Sequence, residues 1–373
     1  MLITGDDIPL IALGGAFLAT GGGGDTLLGE IIAQAQVRAV GSVRLEPLDQ
    51  FTSNDLIVAI GGVGSPTIMQ EKPMNGREAG WALSALEAVL GKSASAIIAF
   101  EAGGMNALVP FGIAAERGLP VVDADGMGRA FPELQMESFS IYGVSATPMA
   151  MAAELGDQMV VSAARSPELA EKLVRHFSVT AGGGQCISAE HVMDGAMAQR
   201  VAVPGTISLC LRIGKLIRHY GSNIPGFVQA LKKELCPTHY GAVEMLVSGK
   251  VVDLTRETRG GYDYATVKLM PHDANDHDAD EISIMVKNEY LLALRGGKPI
   301  ATTPDLICLL DSETGLPITA ETLRYGQRVH IIGIGAPALM RTECALKVVA
   351  PRNFGFDHDY IPIEALYPGP AKK

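Results

Sequence analysis

The sequence has few of the features that mark secreted, zinc-finger or nucleic-acid-binding proteins. Its five cysteines are scattered and never form a C-x-x-C pair, which argues against a disulfide framework or a cysteine zinc site and favours a reducing compartment. Positive charge is also scarce, since 30 Lys and Arg stand against 41 Asp and Glu, giving a net charge of -11. Because affinity for nucleic acid depends on cations that neutralise phosphates, we expect no nucleic-acid partner.

Export signals, membrane spans and common catalytic motifs are missing as well. The chain starts MLITGDD, with acidic residues where a signal peptide has basic ones, and the uncharged stretch 8–24 is too rich in glycine for a membrane helix. We therefore expect a cytoplasmic protein with no membrane partner. The sequence contains no H-E-x-x-H and no G-x-S-x-G motif, so the usual zinc-protease and serine-nucleophile signatures are absent.

What the sequence does contain is a large apolar content arranged in alternating patterns. Its 373 residues, 47% of them hydrophobic, are enough for two or three ordered domains. Three apolar runs, at 56–60, 96–100 and 119–122, each end in a polar, glycine-bearing segment, and helical patterns at 78–90 and 107–117 separate them. Strands that alternate with helices are typical of a covered parallel sheet. We predict a three-layer α/β/α domain with a mainly parallel sheet over residues 1–240.

The second part of the chain has a different pattern. A strand at 158–163, a helix at 166–177 and helical regions at 189–200 and 206–218 complete the first domain. Beyond Pro237, short apolar runs separated by glycine or polar turns follow at 243–247, 250–254, 264–269, 282–286 and 290–294. Evenly spaced strands of this kind indicate a barrel or sandwich. We predict an all-β, barrel-like domain over residues 241–373.

Polar residues at the predicted strand ends form the candidate site. The carboxyl ends of parallel strands meet at one sheet edge, where ligands bind in open α/β sheets. Crowded carboxylates there could supply general acid–base catalysis, and glycine amides at a helix start could hold an anion. We assign catalysis to Asp123, Asp125 and Glu101, and substrate binding to Gly21, Gly22, Gly23, Gly24, Asp25, Glu71, Lys72, Asn106 and Arg129.

Purely structural interpretations of the charged residues also remain open. Structural salt bridges would produce the same set of charged residues. The string from His272 to Asp280 contains histidine and aspartate, but it lacks the spacing of a calcium loop, so we interpret it as a solvated hairpin loop. No cofactor is predicted, and a divalent metal is left open.

Eight segments resemble one protein family. They are TGGGGD (20–25), EKP (71–73), EAGGMN (101–106), VVDADGMGRAFPELQM (121–136), PGTIS (204–208), KNE (287–289), PDLI (304–307) and RNFGFDHDY (352–360). Through them the chain resembles the S-methyl-thiohydantoin desulfurase family, long catalogued as a domain of unknown function. The resemblance covers nearly the whole chain and implies an α/β domain that carries a β-barrel domain.

The resemblance also implies a function. It points to a hydrolase that acts on S-methyl-thiohydantoins or related five-membered cyclic imides and releases methanethiol and a hydantoin. An alternative is a non-catalytic ligand-binding or accessory subunit of a hydantoinase or oxoprolinase system, and a metal-dependent amidohydrolase is third. The expected partners are a small-molecule substrate and either a second copy of the chain or a hydantoinase-type subunit.

A mechanism follows as a hypothesis from the predicted sheet edge. Asp123 or Asp125 would activate water, and Glu101 would protonate a ring nitrogen or the leaving thiolate. Arg129 and the glycine amides of residues 21–24 would hold the carboxylate or imide anion of the substrate.

Overall fold

The first part of the chain folds around one mixed sheet. The structure is a computed structural model that describes residues 1–24, 26–65, 68, 71–273 and 280–368. Within these residues the sheet has nine strands. They are β1 (Leu2–Thr4), β2 (Ser42–Pro47), β3 (Leu56–Gly64), β4 (Ala96–Ala99), β5 (Val121–Asp125), β6 (Met149–Ala152), β7 (Gln158–Val161), β8 (Gln185–Asp194) and β9 (Val203–Pro204).

Parallel strands form the centre of this sheet, in the order β2, β5, β4, β3. β2 and β4 both run parallel to β5, and β3 runs parallel to β4. The outer strands are antiparallel to their neighbours, with β1 beside β2 and with β8, β6 and β7 beyond β3. Because β3, β4 and β5 point the same way, the segments that follow them meet at one edge, as the sequence predicts.

Helices cover both faces of the sheet. The α-helices of the described chain are α1 (Ile8–Leu18), α2 (Thr26–Val40), α3 (Glu78–Leu90), α4 (Val109–Arg117), α5 (Ser138–Ile141), α6 (Pro167–Thr180), α7 (Gly195–Val201), α8 (Thr206–Tyr220), α9 (Ile224–Leu235), α10 (Glu343–Val349) and α11 (Ile363–Leu366). In β3, Ile57 shares a core with Val174 of α6, whereas Val58 packs in another core with Leu83 of α3. The predicted three-layer arrangement is confirmed.

One segment with a helical pattern is a strand. The sequence predicts a helix over 189–200, but β8 continues to Asp194 and α7 begins only at Gly195. β8 lies between β3 and β6 and nearly all of its side chains are buried. Pairing and burial override the local pattern there, because sheet preference depends on context. The same pairing carries β3 on to Gly64, where the sequence predicts a glycine loop from Gly61.

The second part of the chain forms an antiparallel half-barrel. Its sheet has seven strands among the described residues, in the order β14, β13, β12, β11, β10, β16, β15. They are β10 (Val243–Arg259), β11 (Tyr262–Pro271), β12 (Ile282–Lys287), β13 (Glu289–Arg295), β14 (Lys298–Thr302), β15 (Leu306–Asp311) and β16 (Arg328–Ile334). The predicted all-β, barrel-like architecture is confirmed in this half-open form.

The long strand β10 merges two runs that the sequence predicts as separate strands. Gly249, between those runs, stays within the ladder and pairs with β11 and β16. Register shifts interrupt the pairing between Val251 and Asp253 and between Met245 and Val247. Such bulges bend a strand and increase its twist, which allows one long strand to curl with the half-barrel.

The two sheets share a hydrophobic core. Phe17 of α1 and Cys210 of α8 belong to the same buried cluster as Cys308 of β15 and Ile332 and Ile334 of β16. The second sheet therefore packs directly on helices of the first part. Across the described ranges, no helix combines the length and apolar character needed to cross a membrane.

Candidate active site

A cleft of about 540 Å³ opens where the central strands of the first sheet meet the start of β13. It lies beyond the ends of β3 and β4, the edge that the sequence predicts to bind a ligand. Five glutamates and one arginine contribute to its wall, so the cleft is rich in carboxyl groups. The residues used below are Gly23, Gly24, Glu101, Asn106, Glu137, Glu171, Arg175, Asn288 and Glu289.

Glu101 is the best-positioned acid in the cleft. It lies two residues after the end of β4 and is 4% exposed. Its Oε1 accepts a hydrogen bond of 2.7 Å from Nδ2 of Asn106, and its Oε2 accepts one of 3.1 Å from the backbone N–H of Phe131. Burial raises the pKa of Glu101 to about 8, despite these donors. The side chain is therefore held in one orientation and keeps its proton at neutral pH.

Asn106 links Glu101 to the neighbouring strand. Its Oδ1 accepts a hydrogen bond of 2.6 Å from the backbone N–H of Gly62 in β3. Its Nδ2 donates to Glu101 and, at 3.3 Å, to the carbonyl of Gly62. Asn106 therefore holds the carboxyl group of Glu101 in a fixed position relative to β3.

Glu289 brings a second buried carboxyl group from the other sheet. It is the first residue of β13 and is 2% exposed. Burial and then the proximity of Glu101 raise its pKa well above the usual range. Its Oε2 has no hydrogen-bond partner among the described residues. The preceding Asn288 adopts the left-handed conformation at φ 58°, which asparagine tolerates better than most residues.

The glycine run 21–24 packs tightly between the two halves of the molecule. A Cβ on Gly22 would lie 2.0 Å from Oε1 of Glu289, and one on Gly23 would lie 2.5 Å from the backbone of Gly103. Gly21 packs against the ring of Tyr290 in the same way. Gly23 and Gly24 line the cleft. Their backbone N–H groups form no hydrogen bond within the described chain, so they are available to a ligand.

The cations near the cleft are already paired. Arg175 of α6 forms a salt bridge of 2.8 Å with Glu171 and donates 2.9 Å to the carbonyl of Pro132. Its guanidinium also stacks over the ring of Tyr262, 4.3 Å from the centroid. Lys287 pairs with Glu133. The cleft is therefore rich in carboxyl groups, and burial favours the protonated form of three of them, Glu101, Glu137 and Glu289.

The structure places Asp125 beneath the cleft rather than on its wall. Its fully buried Oδ2 accepts hydrogen bonds of 2.7 Å from the backbone N–H groups of Ala102 and Gly128 and one of 3.2 Å from Met127. Burial raises its pKa to about 7, while these three donors lower it. Asp125 therefore joins the segment after β4, which carries Glu101, to the segment after β5.

Asp123 lies in a different hollow of the surface. Its Oδ1 accepts a hydrogen bond of 2.8 Å from the backbone N–H of Ser208, at the start of α8. The same hollow is lined by Arg212 and His239. Asp123 and Asp125 are two residues apart on β5 and share one face of that strand, yet neither is part of the cleft lining.

Arg129 is fully buried and joins the two halves of the chain. Its guanidinium donates to the carbonyl oxygens of Asp305, at 2.9 Å, and of Tyr290, at 3.1 Å. It also donates 2.6 Å to Oγ1 of Thr20. Burial lowers its pKa to about 10, so it remains charged at neutral pH. Because protein oxygens engage these nitrogens, Arg129 holds the glycine run against the half-barrel.

The other predicted binding residues are not in the cleft lining. Glu71 is exposed, and Lys72 pairs with Glu154. Asp25 lies outside the described residues, as do residues 274–279 of the string that begins at His272. The structure thus brings together Glu101, Asn106 and part of the glycine run.

A second polar cluster lies behind Glu137, which is buried and lines the cleft. Nδ1 of His191 is 3.4 Å from Oε2 of Glu137 and 3.3 Å from Oε1 of Glu190. Burial and then Glu190 raise the pKa of Glu137 well above the usual range. Among the described residues this is the one group of three such side chains whose ligand atoms converge closely enough to hold a metal ion.

Sequence reasoning missed Glu137, Glu289 and the Glu190–His191 pair. Glu289 lies in the second part of the chain, so no local spacing connects it with Glu101. A signal was nevertheless present, because Glu289 ends the KNE segment and Glu137 directly follows the VVDADGMGRAFPELQM segment. Both segments were used for the resemblance but not for the site.

Comparisons with known proteins agree with the fold. A family model described as S-Me-THD-like, N-terminal domain, matches residues 6–163, and one described as S-Me-THD-like, C-terminal domain, matches residues 165–363. The crystal structure of a protein from Chromobacterium violaceum is similar with a TM-score of 0.79 at 22% identity, covering 97% of this chain and 100% of that chain. No curated protein matches the chain. Because the two models together span most of its length, the chain belongs to the S-methyl-thiohydantoin desulfurase-like family.

Proposed function

We propose that the protein is a hydrolase that removes the methylthio group from S-methyl-thiohydantoins or closely related five-membered cyclic imides. The observation that carries the proposal is Glu101, a buried and oriented carboxyl group in the cleft whose pKa is raised to about 8. A carboxylic acid that keeps its proton at neutral pH is a general acid. Family membership supports the substrate class.

The proposed reaction is a hydrolysis at the ring carbon that bears sulfur. The oxygen of water forms a bond to this carbon, and the adjacent ring nitrogen takes a proton as the carbon–nitrogen double bond becomes single. The carbon–sulfur bond then breaks and the electron pair leaves with sulfur, which takes a proton to form methanethiol. Loss of the hydroxyl proton gives the new carbonyl of the hydantoin. Water supplies the oxygen of the new carbonyl, the hydrogen on the ring nitrogen and the hydrogen of methanethiol, so the equation balances without a further reactant.

In this scheme Glu101 donates a proton to the ring nitrogen and regains one from the hydroxyl group as the carbonyl forms, while the proton that the base took from water passes to the leaving sulfur. Glu289 lies in the same cleft and has an oxygen without a hydrogen-bond partner among the described residues, so we assign it to orient water and, in the form of the pair that holds a single proton, to deprotonate it. The two carboxyl groups influence each other's ionisation. Such a pair titrates as a unit in which one member can hold a proton while the other has lost it.

The backbone of the glycine run would hold the ring. The N–H groups of Gly23 and Gly24 have no protein acceptor among the described residues, and both residues line the cleft, so these groups can donate to a ring carbonyl. Amide donors placed in this way stabilise negative charge that develops on the oxygen during the reaction. The cations near the cleft are paired with glutamates, so none of them is left to neutralise an anionic substrate, which favours an uncharged ring.

The test compares purified wild-type protein with two variants. Methanethiol release from an S-methyl-thiohydantoin is followed with a thiol reagent at pH 7. Glu101→Gln removes the proton donor and is expected to lower kcat about 100-fold to 10,000-fold. Glu313→Gln is the matched control, because Glu313 is exposed and does not line the cleft, and it is expected to retain wild-type turnover.

The outcomes separate catalysis from simple binding. If wild-type protein binds the thioether ring but releases no thiol, the hydrolase proposal fails and a ligand-binding role replaces it. If Glu101→Gln folds and keeps full turnover, Glu101 is not the proton donor. Thermal unfolding of each variant shows whether a lost activity reflects a lost fold.

A further inference from the structure

Three buried atoms behind the cleft wall face one another without hydrogen-bond partners. They are Oε2 of Glu137, Oε1 of Glu190 and Nδ1 of His191, and none bonds to a group of the described chain. The exposed fractions of the three side chains are 1%, 0% and 0%. Buried polar atoms in native proteins are nearly always satisfied. Two carboxylate oxygens and an imidazole nitrogen that converge on one point without partners therefore indicate a bound positive ion.

Two of the separations match those of ligands around one four-coordinate metal ion, and all three ligand atoms lie within 4.8 Å of one another. Nδ1 of His191 lies 3.3 Å from Glu190 and 3.4 Å from Glu137. Zinc binds histidine nitrogen and carboxylate oxygen at about 2.0–2.2 Å, and the edge of a tetrahedron is about 1.63 times its centre-to-corner distance. Ligand atoms of a tetrahedral zinc site are thus about 3.3–3.6 Å apart. Both measured distances fall in this range, and both exceed the usual length of a direct N–H···O hydrogen bond.

An irregular backbone in β8 brings the side chains of two neighbouring residues, Glu190 and His191, toward the same point. His191 adopts a left-handed conformation at φ 46°, which is unfavourable for a residue other than glycine. The pairing register with β3 shifts there, since Ile57 faces Met193 while Ala59 faces Glu190. In a regular strand, adjacent side chains point to opposite faces, but a bulge redirects one of them. Glu190 and His191 can therefore approach the same point.

Outer hydrogen bonds orient two of the three groups, His191 and Glu190, as in a metal site. Nε2 of His191 lies 2.8 Å from Oγ of Ser140, and Oγ of Ser188 donates 2.5 Å to the other oxygen of Glu190. When the Nε2 hydrogen is donated to Ser140, the lone pair of Nδ1 faces the carboxylates. Ligating histidines commonly use their second nitrogen in this way.

We propose that Glu137, Glu190 and His191 bind a divalent transition-metal ion, with Zn²⁺ as the best fit. One imidazole and two carboxylates suit zinc, whereas Mg²⁺ and Ca²⁺ prefer oxygen ligands alone. Three protein ligands leave a fourth tetrahedral position. Glu137 also lines the cleft, so the ion lies directly behind the cleft wall. The proposal concerns metal binding and holds whether or not the hydrolase reaction is correct.

The first experiment uses the full chain without an affinity tag. The protein is stripped with a chelator, then titrated with Zn²⁺ against a competing zinc indicator, and bound metal is measured by elemental analysis. We expect one Zn²⁺ per chain. Co²⁺ in the same site should give the strong visible absorption of four-coordinate cobalt, without the charge-transfer band that a thiolate ligand adds.

Variants locate the ion. Ser140→Ala removes an outer contact and should weaken Zn²⁺ binding about 10-fold to 100-fold, and loss of a direct ligand in His191→Gln or Glu190→Gln should weaken it by more than about 100-fold. His176→Gln is the matched control, because His176 is an exposed histidine on α6, and it should bind like wild type.

Two results would overturn the proposal. The first is wild-type protein that takes up no Zn²⁺ or Co²⁺ at micromolar concentration. The second is folded His191→Gln and Glu190→Gln protein that binds Zn²⁺ as wild type does. If those variants fail to fold, the cobalt spectrum of wild-type protein decides, since a six-coordinate or thiolate-type spectrum excludes this ligand set.

Discussion

At the scale of single residues, the surroundings of each carboxyl group separate those that support the fold from those that face the cleft. Asp125 and Glu101 are both buried, but Asp125 accepts three backbone N–H bonds beneath the cleft, and Glu101 lies on its wall. Asp125 stabilises the two segments that meet there, and Glu101 is left with a proton to donate. Burial gives both an elevated pKa, so the contacts, and not the pKa, distinguish their roles.

Glu101 should make the stability of the protein depend on pH. Its pKa is about 8 in the fold against 4.5 for an unperturbed glutamate. Between these values the folded chain keeps a proton that the unfolded chain has released, so this contribution to stability is full below about 4.5 and is lost as the pH rises through about 8. Glu101→Gln cannot titrate. The Tm of this variant relative to wild type is therefore expected to rise from pH 5 to pH 9, and a constant difference across that range would contradict the prediction.

At the scale of elements, the glycine run after α1 allows close contact between two packed surfaces. Gly22 lies against Glu289 of β13, and Gly23 lies against the backbone of Gly103 after β4. A side chain at either position would push the two sheets apart at the cleft. Close approach at these two positions therefore requires glycine.

Gly23→Ala and Gly41→Ala should differ in cost for this reason. Both glycines have positive φ, 76° and 88°, so alanine is strained at each by about 1–2 kcal/mol. A Cβ on Gly41 meets nothing within 4 Å, whereas one on Gly23 collides with backbone. We expect Gly23→Ala to lose about 1–3 kcal/mol more free energy of unfolding. Urea denaturation measures the free energy of unfolding of both variants, and equal losses would show that the glycine run is not tightly packed.

At the scale of the whole molecule, the two parts of the chain are joined by a common core. Phe17 and Cys210 in the first part share a buried cluster with Cys308, Ile332 and Ile334 in the second. Arg129 adds a buried charged contact from the first part to Asp305 and Tyr290 in the second. The cleft itself needs both parts, because Glu101 and Glu289 come from different sheets.

The predicted domain of residues 1–240 should therefore fail to fold by itself. Removal of the second part would expose the apolar face of α1 and α8 and leave the guanidinium of Arg129 without its carbonyl partners, and a buried charge without partners is strongly destabilising. We expect the fragment to lack a cooperative thermal transition and to bind a hydrophobic dye. Addition of residues 241–373 should restore the transition. Cooperative unfolding of the fragment alone, at the wild-type Tm, would contradict this prediction.

Local patterns were sufficient for several elements and insufficient for others. The apolar period of residues 78–90 predicts α3 with its observed bounds, because one face of that helix packs on the sheet. Residues 189–200 carry a similar local pattern, yet Asp194 ends a strand there. The difference is that β8 pairs with β3. Paired residues such as Gly64 and Gln185 are more than 100 positions apart in the sequence. No local window contains that information.

The sequence by itself determined the α/β and all-β parts, the family, and the edge of the sheet at which Glu101 and Asn106 lie. These follow from periodicity and from strand direction, which neighbouring residues specify. Only the tertiary structure decided that Asp123, Asp125 and Arg129 lie outside the cleft lining and that Glu289 and Glu137 lie within it. The physical reason is that a charged side chain near a strand end can accept hydrogen bonds from backbone N–H groups, join the two parts of the chain or face a ligand. Which of these occurs depends on groups supplied by distant segments.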